Sequence, residues 1–383
     1  MSLNLSNYNT DNQEFVDYLL NKYFFSKFKN GERKLEIFLT GICKANCDYC
    51  YLKKNQQDLF PKALRSNDLI IHNLQILMNW YVKNEFRCPL DIFSAEWLTT
   101  PIADRVIDCF CDTFSKVPLE KRPPLIVAAD NMQFIKDDVA TGKVQSYIDR
   151  LKELGITFYI SASVDGKYCD YGRTENDDEY YKKLNQFLVK NNSHLHPMVS
   201  ADNVKYQIDN FMWFKETFDP AVANEIMMLE VRNGDWTDES IYELMRFCDF
   251  LIDYKFNNEF NQDKKRFLKY VLNVRDEEVG FEHDVPYNNI ALNTSNIFQG
   301  FDSFNCSAYG TFCIRVADLS VAPCHRLFYP ELKIGEFKVN DTNTITHFEP
   351  HNIELLLLEC TAKRSCLPHC EKCKFQDLCV GFC

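Results

Sequence analysis

The stretch Leu35-Glu36-Ile37-Phe38-Leu39-Thr40, followed by Gly41-Ile42-Cys43-Lys44-Ala45-Asn46-Cys47-Asp48-Tyr49-Cys50, decides how this chain is read. Its first residues form an apolar, strand-like run, and directly behind them stand cysteines spaced C-x-x-x-C-x-x-C. Three soft thiolates on one short loop suit an iron–sulfur cluster. A [4Fe-4S] cluster takes four ligands, so three cysteines leave one iron open to bind and activate a further molecule. Structural zinc, the competing reading, normally draws four closely placed Cys or His ligands, commonly in C-x2-C pairs. The nearest histidine to this loop is His72, far along the chain. Buried unligated cysteines need no fixed spacing behind a strand.

With 383 residues, 46% of them hydrophobic, the chain can bury a large core, as one large domain with an appendage or as two medium ones. A net charge of −12 argues against a nucleic-acid surface, so no nucleic-acid partner is expected. Residues Met1 to Gln13 lack the basic-then-apolar pattern of a signal peptide, and no apolar run approaches the ~18–20 residues that span a bilayer. A cytoplasmic protein without a membrane segment is expected. In a reducing compartment, 17 cysteines point to metal rather than to a disulfide framework. Cys88, Cys109, Cys111, Cys169 and Cys248, scattered in apolar or helical settings, read as core thiols.

Short β-type runs recur at Leu35–Thr40, Leu90–Ala95, Leu125–Ala129, Thr157–Val164, Leu195–Ser200 and Ile226–Val231. Between them Asn67–Asn84, Asp104–Lys116, Lys143–Leu154, Tyr180–Asn191 and Asp238–Tyr254 carry apolar residues at helical spacing. Strands alternating with helices predict parallel pairing, and these units make an α/β fold, a (β/α)6 partial TIM barrel. An N-terminal extension (residues 1–33) precedes the barrel (34–256), a polar, helical connector (257–304) follows, and residues 305–383 are dense in cysteine. In such barrels the chemistry lies in loops at the carboxyl ends of the strands. The cysteine loop, Ser94-Ala95-Glu96, Asp130-Asn131 and Ser163 with Asp165 all fall there.

Tyr49 fills the aromatic slot before the third cysteine, giving C-x-x-x-C-x-Y-C, and with it the chain resembles the radical S-adenosylmethionine (radical SAM) superfamily. The resemblance implies that Cys43, Cys47 and Cys50 hold a [4Fe-4S] cluster whose open iron binds SAM, with Tyr49 beside it. Radical SAM enzymes usually end strand two with Gly-Gly-Glu, whose acid and backbone hold the SAM ammonium. Here Ser94, Ala95 and Glu96 take those places: the small residues permit close backbone approach and the acid is kept. The competing reading makes Glu96 a helix-start residue favoured by the dipole. Ser163-Val164-Asp165-Gly166, followed by Asp170 and Arg173, resembles the S-x-D-G…D-x-x-R stretch of peptide-modifying members, with a shorter gap. Ser163, Asp165 and Arg173 are then SAM-binding residues, Ser163 and Arg173 meeting its carboxylate or ribose.

Cys370-x2-Cys373-x5-Cys379-x3-Cys383 resembles the core of the SPASM domain, which carries auxiliary [4Fe-4S] clusters in radical SAM maturases. Cys306 and Cys324 resemble its opening hairpin, with Leu319 where a glycine is usual, so the turn is expected to adopt another geometry. By resemblance Cys306, Cys324 and Cys383 hold a proximal cluster, and Cys370, Cys373 and Cys379 a distal one, each short of a fourth cysteine. Cys313 can complete the first and Cys360 or Cys366 the second, or an open iron takes a substrate group. A zinc ribbon is the competing reading of Cys370–Cys383.

The resemblance implies an oxidoreductase that uses SAM, the radical SAM cluster and one or two auxiliary [4Fe-4S] clusters. A 5′-deoxyadenosyl radical removes hydrogen from an unactivated C–H bond. The expected substrate is a ribosomally synthesised precursor peptide that gains a thioether, C–C or C–O crosslink or an epimerised residue (RiPP maturation). Sulfatase maturases, which form formylglycine, are the close alternative. They carry a catalytic Asp just after the hairpin cysteine, where this chain has His325, the candidate catalytic proton acceptor. Too few residues precede Cys43 for the winged-helix peptide-binding module of some relatives, so leader recognition would need a separate leader-binding protein, another surface, or no leader at all, with flavodoxin or ferredoxin as the expected reductant. From another class, a non-catalytic iron–sulfur scaffold that has lost SAM binding fits the altered Ser94-Ala95-Glu96.

Overall fold

The computed structural model describes residues 13–258, except 44, 46, 94, 170–175, 224–225, 227–228 and 231–235, and residues 312–361. Its strands are β1 (Leu35–Phe38), β2 (Leu90–Phe93), β3 (Leu125–Asp130), β4 (Thr157–Ala162), β5 (Met198–Val199), β6 (Leu229–Glu230), β7 (Cys313–Arg315), β8 (Ser320–Ala322), β9 (Gly335–Val339) and β10 (Ile345–Pro350). Each strand run expected from the sequence up to residue 231 overlaps one of them. The chain forms two compact units. The described residues of the first fall within 13–43, 50–161 and 312–361, those of the second within 45–49 and 162–258.

The first unit is built on a sheet of order β10-β9-β8-β7-β1-β2-β3-β4. β1, β2 and β3 are parallel neighbours, and β7 lies parallel to β1 on its other side. β8, β9 and β10 then follow antiparallel. Parallel strands covered on both faces read as continuous apolar runs, and every residue of β1 is buried, its one acid included. Helices Asn67–Lys83, Ala103–Phe114 and Asp138–Glu153 return the chain between strands. Ser66 caps the first by accepting from Leu69 N, and Asp137 caps the last by accepting from Val139 N and Ala140 N.

Helical turns also run from Gln13 to Asn30, ending at Gly31 in the left-handed region at φ 71°. They place Phe24 5.0 Å from Phe312 and Phe28 5.4 Å from Phe86, with Trp80 5.0 Å from Phe86 and 4.8 Å from Phe337. Rings that each bury roughly 150–250 Å² dominate a core, so residues before 33 and after 312 share one aromatic cluster.

In the second unit β5 and β6 pair in parallel, and Ala162 bridges to Leu195 in the same sense. Helices Asp178–Asn191, Gln207–Thr217 and Asp238–Asn258 belong to this unit. They meet through ring pairs such as Tyr181–Trp213 at 4.7 Å and Phe211–Tyr254 at 5.0 Å. Among the described residues no helix is long and apolar enough to cross a membrane.

Candidate functional site

In the first unit the loop after β1 carries Cys43, exposed, while Cys50 stands half-buried at the start of the helical turn Tyr51–Lys54. At the end of β2 Ala95 N donates to Thr40 O at 3.0 Å, tying this loop to the one that carries the cysteines. Glu96 is buried. Its Oε1 accepts from Thr99 Oγ1 at 2.8 Å and its Oε2 from Asn131 Nδ2 at 3.1 Å. Asn131 and the buried Asp130 end β3, where their side chains accept from Gln133 N and Met132 N. Glu96 and Asn131, separate in sequence, are thus joined at the carboxyl ends of adjacent strands. Among the described residues Glu96 has no cationic partner. A buried carboxylate held by one hydroxyl and one amide fits a ligand ammonium.

Deeper on the same sheet Glu36, Asp91 and Cys313 stand side by side in register. Glu36 is 1% exposed and His325 7%. His325 Nδ1 lies 3.4 Å from Glu36 Oε2, and Lys34 Nζ lies 3.6 Å from Glu36 Oε1 and 2.5 Å from Asp91 Oδ2. Burial alone would lower the pKa of Lys34, but Asp91 and Glu36 outweigh it and raise it. Burial opposes ionisation of Glu36, yet the hydrogen bond from His325 and the Lys34 charge hold its carboxyl below the usual range. Burial pushes the His325 imidazole down despite Glu36, so the ring is neutral at neutral pH. The ring stacks on Phe93 with centroids 3.3 Å apart, and Tyr51 lies 5.8 Å away on a tilted plane.

Around Tyr51 gather the residues the sequence assigns to two different clusters. Burial drives the Tyr51 hydroxyl well above its ordinary pKa, Arg326 opposes this, and the neighbouring Cys324, Cys50 and Cys313 add to it. Cys313 is a buried thiol in β7, and burial, then the Glu36 carboxylate, keep it protonated. His325 is therefore an interior residue, not a surface one. Sequence reasoning missed Glu36, whose signal was an acid inside a run otherwise apolar.

The hairpin that carries Cys324 and His325 turns through Asp318 and Leu319. Leu319 keeps the left-handed conformation a glycine would take, at φ 54°, against the expectation of a different turn. Asp318 holds it there: its Oδ1 accepts from Ser320 N at 3.3 Å and Ser320 Oγ at 2.7 Å, an Asx-type turn. The same carboxylate accepts from Arg315 Nε at 3.0 Å and Nη2 at 2.5 Å. Arg315, buried, also donates to Leu59 O at 2.7 Å and lies over the Phe328 ring.

In the second unit Cys47 is buried, and Tyr49 donates its hydroxyl to Asp165, which also accepts from Met198 N at 2.9 Å. Asp165, assigned to SAM by resemblance, is thus occupied in fixing Tyr49. Ser163 is half-buried nearby in the chain. Gly166 sits at φ 107°, and a Cβ there would come within 2.6 Å of Asn210 Oδ1, the atom that accepts from Tyr168 N. That explains the glycine of the S-x-D-G stretch.

Ser94, Arg173, Cys306, Cys366, Cys370, Cys373, Cys379 and Cys383 lie outside the described residues, as does nearly all of the connector. Cys360 is half-buried in the helix Ile353–Thr361. Of the thiols read as core, Cys88, Cys109 and Cys169 are buried, Cys111 is half-buried and Cys248 is exposed on its helix. Burial lifts the pKa of Cys88 and of Cys109 to about 12. Among the described residues no three Cys, His, Asp or Glu side chains converge as for a single metal ion. A cubane spreads its thiolates over separate irons, so the loop's donor set of Cys43, Cys47 and Cys50 fits a cluster on its chemistry.

No family model and no curated protein matches this chain. Among solved structures it is similar to anSMEcpe, in a polyhistidine-tagged form with bound AdoMet, at 14% identity and a TM-score of 0.53, over 92% of this chain and 86% of that one. It also aligns with SuiB of Streptococcus suis bound to S-adenosylmethionine, at 13% identity and a TM-score of 0.48, over 96% and 76%. With SuiB bound to precursor peptide SuiA the figures are 12%, 0.49, 96% and 76%. The likenesses to SuiB are too loose to support inference. The first shows the fold alone: the chain has an α/β partial-barrel fold like that of anSMEcpe.

Proposed function

We propose that this chain is a radical SAM enzyme that modifies a ribosomally made peptide. The observation that carries the reading is the C-x-x-x-C-x-Y-C loop at the carboxyl end of β1, with a buried Glu96, without a cationic partner among the described residues, at the end of the adjacent β2. Cys43, Cys47 and Cys50 would hold the cluster. When bound, the cluster and SAM supply one-electron cleavage of the sulfonium and so a hydrogen-abstracting radical. Glu96, steadied by Thr99 and Asn131, receives the SAM ammonium. Asp165 keeps Tyr49, the residue before the third cysteine in sequence, in place. His325, enclosed and uncharged, is the acceptor on the protein side. Cys306, Cys324 and the Cys370–Cys383 run hold one or two auxiliary clusters.

The protein reconstituted anaerobically with iron and sulfide, then given SAM, a reductant and the peptide encoded beside its gene, should release 5′-deoxyadenosine. The peptide should lose about two hydrogens per crosslink or exchange an α-hydrogen. Formylglycine in a sulfatase-motif peptide, with the neighbour peptide untouched, would replace this reading by sulfatase maturation. Iron retention without SAM cleavage would leave a scaffold.

A further inference from the structure

Charge is unevenly distributed over the first unit. The segments that lead into β1, β2 and β3, residues 27–34, 83–89 and 115–124, hold nine Lys and Arg against three Glu, in a chain whose net charge is −12. The three strands lie parallel and in register, so these segments meet at the amino-terminal end of the sheet, opposite the loops that carry Cys43 and Glu96. Arg87 N donates to Phe28 O at 3.0 Å, and Lys121 Nζ lies 2.7 Å from Glu85 Oε1. Lys121, with Lys29 and Arg87 beyond it, holds the Glu85 carboxyl below its usual range, so one acid is shared by three cations. Lys29 and Arg87 are exposed, and neither has an ion-pair partner among the described residues. Leu119, 60% exposed, stands on the turn that ends at Lys121. An apolar side chain beside unpaired cations offers an acidic segment both an anchor and its counter-charges.

We propose that this basic face docks an acidic leader segment of the peptide substrate. Identifying the partner as a substrate leader rests on the function proposed above, whereas the attraction of an acidic segment does not. The rest of the acidic chain repels such a segment, so the face both attracts and orients it. Its place in the fold decides between partners. β3, the longest of the three strands, has 6 residues and spans about 20 Å. An electron carrier docked here stands at least that far from the cluster loop. A leader is tied to its core by chain, and roughly ten extended residues cover ~30 Å. Tethering then raises the concentration of the core at the reacting end of the sheet.

The probes are the peptide encoded beside the gene, its amino-terminal half, its carboxyl-terminal half, and a copy of the amino-terminal half with Asp and Glu changed to Asn and Gln. Fluorescence anisotropy with reconstituted full-length holoprotein should show the acidic half binding, its amide copy binding about tenfold or more weakly, and a loss of affinity as salt rises from about 50 to about 300 mM. Lys29→Glu combined with Arg87→Glu should weaken binding of the acidic half about tenfold or more, and Lys29→Gln combined with Arg87→Gln by less, since two exposed charges are reversed or merely removed. KM for the whole peptide should rise in step with kcat unchanged, while turnover of the carboxyl-terminal half stays at the wild-type level, which shows the barrel intact. Equal affinity of wild type and charge-reversed protein for the acidic half overturns the proposal, as does a neighbour peptide whose amino-terminal half has no excess of Asp and Glu. If the variants slow 5′-deoxyadenosine release driven by flavodoxin but not by dithionite, with peptide binding unchanged, the face belongs to the electron carrier and the proposal falls. If the wild type binds the acidic half in this charge-dependent way but modifies no peptide, the peptide-modifying function fails and the docking face stands.

Discussion

Asp318→Asn tests the turn that presents Cys324 and His325. The carboxylate accepts from Arg315 at 3.0 and 2.5 Å and from Ser320 Oγ at 2.7 Å, and it lies 3.5 Å from Lys333 Nζ. Asn keeps Oδ1 for Arg315 Nε and Ser320 but sets an NH2 against Arg315 Nη2. Hydrogen bonds to charged groups contribute ~1.5–3 kcal/mol against ~0.5–1.5 for neutral ones, so weakening two such contacts costs about 2–3 kcal/mol. The ~3–5 kcal/mol of a fully buried broken pair is an upper bound, because the Asp318 side chain is 24% exposed although Arg315 is only 3%. For a unit of this size the loss lowers Tm by roughly 5–10 °C. Burial opposes ionisation of Asp318, but Arg315, Ser320 and Lys333 hold its pKa below the usual range. Its contribution is therefore complete above the unfolded-chain value of about 3.9 and is lost as pH falls through the lower native value. Urea and thermal unfolding of wild type and variant, followed by circular dichroism from pH 7 to pH 3, should show the full gap at neutral pH and a closing gap in acid. A loss below about 1 kcal/mol at pH 7, or a gap that has not narrowed at all by pH 3, refutes the reasoning.

Changing Cys43, Cys47 and Cys50 together to Ala should remove one [4Fe-4S] cluster's worth of iron and abolish 5′-deoxyadenosine release, measured after anaerobic reconstitution. With that loop removed, iron and sulfide should remain at a level matching one or two auxiliary cubanes; zinc in their place would contradict the SPASM reading. Glu96→Gln should weaken SAM binding about tenfold or more by calorimetry, the loss of a charge-assisted contact of ~1.5–3 kcal/mol. Gly166→Ala should destabilise the second unit by about 2–4 kcal/mol, since it adds a left-handed penalty and drives a Cβ into Asn210, and urea unfolding reads it directly.

The strand and helix pattern was legible because parallel strands buried on both faces leave apolar runs such as Leu125–Ala129, while the helices between them keep an apolar stripe. The cysteine loop was legible because its spacing is local. Glu36 was not, since its meaning depends on His325, 289 residues away. Leu319 misled for a different reason. A leucine looks unfit for a left-handed turn, and only the Asp318 carboxylate, gripping Ser320 beyond it, explains how the residue is held there. The membership of β7 beside β1 was equally hidden, because strand pairing across such a distance leaves no trace in periodicity.

That pairing has a consequence for biosynthesis. β1 is a central strand, yet the neighbour on one of its sides, which starts at Cys313 opposite Glu36, emerges well over two hundred residues later, and the histidine that meets its acid 289 residues later. At ~5–20 residues per second the nascent chain waits about 15–60 s with one edge of β1 and the Glu36 carboxylate uncovered. An open edge of that kind is a template for pairing with another chain. The ribosome therefore releases this protein with its central seam closing late, and a chain truncated anywhere between β6 and β7 should be recovered in inclusion bodies rather than as a smaller working barrel.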